Sequence, residues 1–128
     1  MSNLTFSMEN YLEAVYELSG GSGGARLSDI ADRLGVSKAS VHSAMNALHQ
    51  RGLVTNERYR AICLTPEGLR LAQLTAEKHH ILQTLLAKVM GVEPEQANAD
   101  ACAMEHVISQ TSAQCIRDYL AREGIELL

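Results

Sequence analysis

The 128-residue chain has no tryptophan, one phenylalanine, two prolines and only 4% aromatic residues. Alanine and leucine dominate instead, a bias that favours helices. Long apolar runs are also missing. None approaches the roughly 18 residues of a membrane span, so neither a spanning segment nor a membrane partner is expected. The opening MSNLTFSMEN has neither the basic start nor the apolar stretch of a secretory signal. Cysteine is scarce as well: Cys63, Cys102 and Cys115 are odd in number and far apart. That argues against a disulfide frame and for reduced thiols in the cytoplasm.

What is present suffices for a core, since 46% of residues are hydrophobic. The length suits one compact unit or two small subdomains. Net charge is −4, but it is unevenly spread. Arg26 to Pro66 holds six basic and three acidic residues, a local +3, whereas Leu71 to Leu128 holds four basic and eight acidic, a local −4. A basic middle suits phosphates, and an acidic C-terminal half suits cations.

Helical spacing of Met8, Tyr11, Leu12, Val15 and Leu18 predicts a first helix from Ser7, as N-cap, to Ser19. A glycine-rich loop follows. Ser28 is read as the cap of a short helix ended by Gly35, and Ser37 as the cap of a longer one ended by Gly52. Short helix, tight turn and longer helix form the helix-turn-helix pattern. Two strand-like runs, Leu53–Glu57 and Ala61–Thr65, flank Arg58-Tyr59-Arg60 and read as a hairpin wing. Thr65-Pro66 then opens a long helix toward Met90. Pro94 opens the next, and Ser112 is read as the cap of the last, which carries Cys115, Ile116, Tyr119 and Leu120 on one face.

A helix entering the major groove needs short polar side chains near its N-terminus. Ser37, Lys38, Ala39, Ser40, His42 and Ser43 meet that need. Lys38, Arg51, Arg58 and Arg60 are placed to hold phosphates and set register. Double-stranded DNA is the expected partner.

Cys102, Glu105 and His106 sit at i, i+3 and i+4, which on a helix puts thiolate, carboxylate and imidazole on one face. Such a face is half a transition-metal site. His79 or His80 can supply a further donor, and Asn10 and Glu13, at i and i+3 of the first helix, another. Mixed S, N and O donors suit Fe²⁺, Co²⁺, Ni²⁺ or Zn²⁺, with the oxygens extending the range toward Mn²⁺. Binding requires proton loss from the thiol and a neutral imidazole, so affinity is expected to fall at low pH.

These residues together resemble the diphtheria toxin repressor family of metal-dependent transcription regulators, including its manganese-transport-regulator branch. The matching stretches are SMENYLE (7–13), LSDIADRL (27–34), RGLV (51–54), LTPEG (64–68), Lys78-His79 and Cys102-x-x-Glu-His106. They run in order over nearly the whole chain. The resemblance implies a winged helix-turn-helix over 1–70 and a helical metal-binding and dimerisation domain over 71–128. The expected fold is thus mainly α with a small β-hairpin wing. Cys102, Glu105 and His106 match the main ligands of that family, His79 a ligand used across it, and Glu13 a ligand of the manganese branch. Position 10 is Met in one branch and Asp in the other; here Asn10 offers a weakly binding neutral amide oxygen. Gln83 and Asn98 stand where the toxin-repressor branch has Glu and His, so a separate ancillary site of that type is expected to be lost. With Leu128 as the last residue, a two-domain form without the SH3-like domain is expected.

The resulting expectation is a cytoplasmic, homodimeric, non-enzymatic repressor of metal-uptake genes, activated by Fe²⁺ or Mn²⁺, with Co²⁺, Ni²⁺ or Zn²⁺ substituting in vitro and no small organic substrate. The main rival is a winged-helix regulator answering to a small organic ligand or to thiol oxidation. A metalloenzyme using Glu105 as a base is a further rival, but the chain has no HExxH motif and no substrate-sized domain beyond the helices.

Overall fold

The computed structural model describes residues 4–20, 24–55 and 61–128. The elements run α1 (Phe6–Ser19), α2 (Leu27–Leu34), α3 (Lys38–Gln50), β1 (Val54–Thr55), β2 (Cys63–Leu64), α4 (Pro66–Thr84), a π-helical turn (Leu85–Val89), α5 (Pro94–Met104) and α6 (Gln110–Arg122). The chain is therefore mainly helical with a small hairpin. It divides into two compact units, Met1–Gln73 and Leu74–Leu128. No described helix is long and apolar enough to cross a membrane.

In the first unit, Leu12, Val15, Ile30, Val41, Met45, Leu48 and Val54 are fully enclosed. They come from the inward stripes of α1, α2 and α3 and from β1, and they form one core with Ile62 and Ala72. The strands pair antiparallel, Val54 opposite Leu64 and Thr55 opposite Cys63. Ala25 adds a bridge to Ile62. Among the described residues, Leu53, Ala61 and Thr65 of the expected runs fall outside these strands; residues 56–60 lie outside the described set.

Gly68 marks the tightest approach in this unit. A Cβ there would lie 1.9 Å from the carbonyl oxygen of Leu53. The first turn of α4 thus rests on the chain entering β1, and only glycine permits the contact. Thr65 fastens the same corner: its hydroxyl donates to Gly52 O (2.6 Å) and accepts from Gly68 N (3.1 Å).

The helix starts correct three expectations. Thr5, not Ser7, caps α1, its side chain accepting from Met8 N. α2 begins at Leu27 after Arg26, with no side-chain cap, so Ser28 lies inside the helix. Ser109, not Ser112, caps α6; Ser112 supplies the backbone N–H that Ser109 accepts. In the first and last cases more than one hydroxyl residue stands near the helix start, and the one furthest upstream, Thr5 or Ser109, has the extended backbone a cap requires.

In the second unit, Ile81, Leu82, Ala97, Ala101, Ala113 and Leu120 are buried. The long helix expected to reach Met90 loses its α geometry after Thr84. Thr84 Oγ1 donates back to His80 O at 2.6 Å and accepts from Leu128 N at 2.9 Å. Back-bonding of this kind bends helices. The following turn closes with an i+5 bond, Met90 N to Leu85 O. On α6, Cys115 and Tyr119 are exposed while Ala113 and Leu120 are buried, so the expected apolar face is only partly covered within one chain.

Candidate metal centre and nucleic-acid interface

α3 separates its residues cleanly into two faces. Val41, Met45 and Leu48 are buried, whereas Ser37, Lys38, Ala39, Ser40, His42 and Ser43 are all exposed. Ser37 caps the helix by accepting from Ser40 N at 3.1 Å, and its hydroxyl also donates to Ser40 Oγ at 2.9 Å. The cap fixes the first turn and leaves that face short and polar. Arg51, exposed, caps the other end of the helix. Arg58 and Arg60 lie outside the described residues.

Beside this face opens a cleft of about 540 Å³ lined by Thr5, Ser7, Met8, Tyr11, Ala39, Ser40, Ser43 and Ala44. The start of α1 therefore borders the exposed polar face of α3. The sequence reading did not assign Thr5 and Ser7 to this surface. Their hydroxyls give no periodic signal, and only the packing of α1 on α3 brings them there.

The second unit gathers the proposed ligands. His79 lies on α4, Cys102 in the last turn of α5, and Glu105 at its C-cap. α5 ends at Met104, so His106 occupies the turn beyond it rather than a helical face. That corrects the picture of three ligands on one helix: two extend the helical stripe and the third comes from the turn. Lys78 fastens this turn to α4, its Nζ donating to Ile108 O at 3.1 Å.

One ligand atom each from His79, Cys102 and Glu105 lie within 4.8 Å of one another. Cys102 Sγ is 3.7 Å from His79 Nδ1, and Glu105 Oε1 is 3.9 Å from the same nitrogen. His106 Nε2 lies 3.7 Å from Glu105 Oε1. Bonds of about 2.0–2.3 Å to a common ion set donors some 3–4 Å apart, so the group fits an ion with little movement. The Glu105 and His106 side chains are 1% exposed, whereas Cys102 is open to solvent. A buried carboxylate gains strongly from a cation. His80 is exposed, its ring edge-on to His79 with centroids 5.6 Å apart. Asn98 Oδ1 stands 3.0 Å from His79 Nε2. Asn10 and Glu13 are half-buried residues of α1, in the first unit.

Residues 3–62 match the family described as iron dependent repressor, N-terminal DNA binding domain. Residues 65–122 match iron dependent repressor, metal binding and dimerisation domain. The chain is 37% identical over 117 residues to the transcriptional regulator MntR of Escherichia coli, covering 91% of this chain and 75% of that protein. It is 37% identical over 114 residues to the HTH-type transcriptional regulator MntR of Listeria monocytogenes, covering 89% and 80%. Among solved structures, a manganese-dependent transcriptional repressor in complex with manganese superposes with a TM-score of 0.79 at 25% identity, over 89% of this chain and 52% of that one.

Proposed function

Because the chain belongs to the iron dependent repressor family, and so is a metal-sensing, DNA-binding transcriptional repressor rather than an enzyme, we propose that it represses metal-uptake genes when Mn²⁺ or Fe²⁺ is abundant. The family binds DNA through the N-terminal domain and dimerises through the C-terminal one. We assign these roles to residues 1–70 and 71–128 of this chain. The observation that carries the metal reading is the convergence of His79, Cys102 and Glu105 within 4.8 Å. Glu13 and, more weakly, Asn10 join His79, Cys102, Glu105 and His106 in the proposed ligand set on the resemblance alone. Mn²⁺ is favoured by the names of the similar proteins, and the thiolate of Cys102 extends the range to Fe²⁺.

A divalent ion supplies positive charge that offsets the buried carboxylate and holds the donors in one geometry. Cys102 would hold the ion as a thiolate, and His79 and His106 would hold it through neutral rings. In a two-fold dimer, the reading helices must sit about one DNA turn, roughly 34 Å, apart. Fixing the ligands lowers the ordering cost of that arrangement, and the coupling must be reciprocal, so DNA tightens metal binding. On DNA, Ser37, Lys38, Ala39, Ser40, His42 and Ser43 face the bases and nearby phosphates. Arg51, Arg58 and Arg60 hold the backbone, and the hydroxyls of Thr5 and Ser7 join the start of α3 along its exposed face. The exposed apolar residues Met104, Val107 and Tyr119 of the second unit offer area for the partner copy.

The test begins by selecting duplexes from a random pool with the metal-loaded protein. The metal-free protein is then titrated anaerobically with Mn²⁺ and with Fe²⁺ while binding to those duplexes is followed. Metal-stimulated binding that is lost in Cys102→Ala and Glu105→Ala is the expected result. Binding indifferent to chelators would instead favour an organic effector or thiol oxidation.

A further inference from the structure

The imidazole of His79 is held from both ends by one stripe of α5. Asn98 and Cys102 are four residues apart and Glu105 three further, a helical row facing α4. Asn98 Oδ1 lies 3.0 Å from His79 Nε2, while Cys102 Sγ and Glu105 Oε1 lie 3.7 Å and 3.9 Å from Nδ1. The two ring nitrogens thus meet opposite demands. A neutral imidazole carries one proton, and only the bare nitrogen binds a metal. The carboxylate of Glu105 draws that proton toward Nδ1, the nitrogen that faces the ligand cluster. The amide oxygen of Asn98 can only accept, so its bond requires the proton on Nε2.

We propose that Asn98 is a positioning residue for the metal centre: it holds the His79 proton on Nε2 and so keeps Nδ1 bare and aimed at the ion. This rests on the metal-site reading above. It assigns Asn98 a role of its own, outside the ligand set. The edge-on ring of His80 limits rotation of His79 from a second side. Partners that orient a ligating histidine commonly contribute about 10–100-fold to metal affinity. Asn98 is exposed, and water competes for its bond, which puts the expected effect near the lower end, about tenfold.

The test uses the full chain labelled with ¹⁵N-histidine. Long-range ¹H–¹⁵N spectra of the metal-free protein at neutral pH report which His79 nitrogen is protonated, and calorimetric titration with Mn²⁺ reports affinity. In the wild type, Nε2 is expected to carry the proton. In Asn98→Ala the proton shifts toward Nδ1 and Mn²⁺ binds about tenfold more weakly. Asn98→Asp, which keeps an acceptor in place, restores both the Nε2 proton and most of the affinity. A wild-type proton on Nδ1, an Asn98→Ala protein with unchanged Mn²⁺ affinity, or an Asp variant as weak as the Ala variant would each overturn the proposal. The spectra need no metal, so they judge Asn98 separately. The metal-site reading itself fails only if Cys102→Ala and Glu105→Ala bind Mn²⁺ as the wild type does.

Discussion

Replacing Cys102 by alanine separates a ligand from a packing residue. The side chain is exposed, so its loss in the metal-free protein is expected to change stability by no more than about 0.5 kcal/mol. A core cysteine would cost far more. The effect should appear only with metal. At a concentration about 100 times Kd, a bound ion stabilises the folded state by about 2.7 kcal/mol. If the lost thiolate weakens binding about 100-fold, the same concentration stabilises the variant by only about 0.4 kcal/mol. For a chain of this size, about 4 °C per kcal/mol converts these values to a rise in Tm of about 11 °C for the wild type and about 2 °C for the variant. Thermal unfolding followed by circular dichroism, with and without MnCl₂, measures both. A variant that keeps the full metal-induced rise, or one already several kcal/mol weaker without metal, would show Cys102 to be no ligand.

Gly68→Ala should lower Tm markedly with or without metal, because the new methyl would meet Leu53 O at 1.9 Å and relief requires backbone movement, a cost of about 1–3 kcal/mol or more; an unchanged Tm would refute the close approach. Lys38→Ala should weaken binding to all duplexes about equally and reduce the slope of log affinity against log salt by about 1. Altered preference at a single base position would contradict its phosphate role. Arg70 hydrogen bonds to Glu67 at 3.0 and 2.5 Å and holds that carboxyl below its ordinary value of 4.5. The pair therefore stabilises the fold above that value, and its contribution is lost as pH falls through the lower, folded value. The stability difference between wild type and Glu67→Gln should be present at neutral pH, small because the pair is exposed, and fade in acid. A difference that persists there would refute the assignment.

The helix-turn-helix was legible because local signals agree there. Ser37 is a cap whose side chain bonds the next turn, Gly35 adopts the left-handed backbone that ends α2, and the apolar stripe of α3 recurs at helical period. Thr65-Pro66 marked the start of α4 for the same kind of reason. Where hydroxyl residues competed, as with Thr5 and Ser7 or Ser109, Thr111 and Ser112, local chemistry was nearly equal. The extended backbone of Thr5 and of Ser109 decided between them. The π-helical turn left no trace in the periodicity, because it depends on bonds between Thr84 and residues as far away as Leu128.

The order of elements, the polar face of α3 and the presence of Cys102, Glu105 and His106 within five positions follow from the sequence alone, since they depend on near neighbours along the chain. Spacing alone could not tell which of His79 and His80 meets Cys102; only the family resemblance pointed to His79. Adjacent helical residues diverge by about 100°, and only the docking of α5 on α4 decides which one faces inward. The same docking brought Asn98 to the far nitrogen of His79, nineteen positions away in sequence. A contact across that separation is created by packing, and no local pattern announces it.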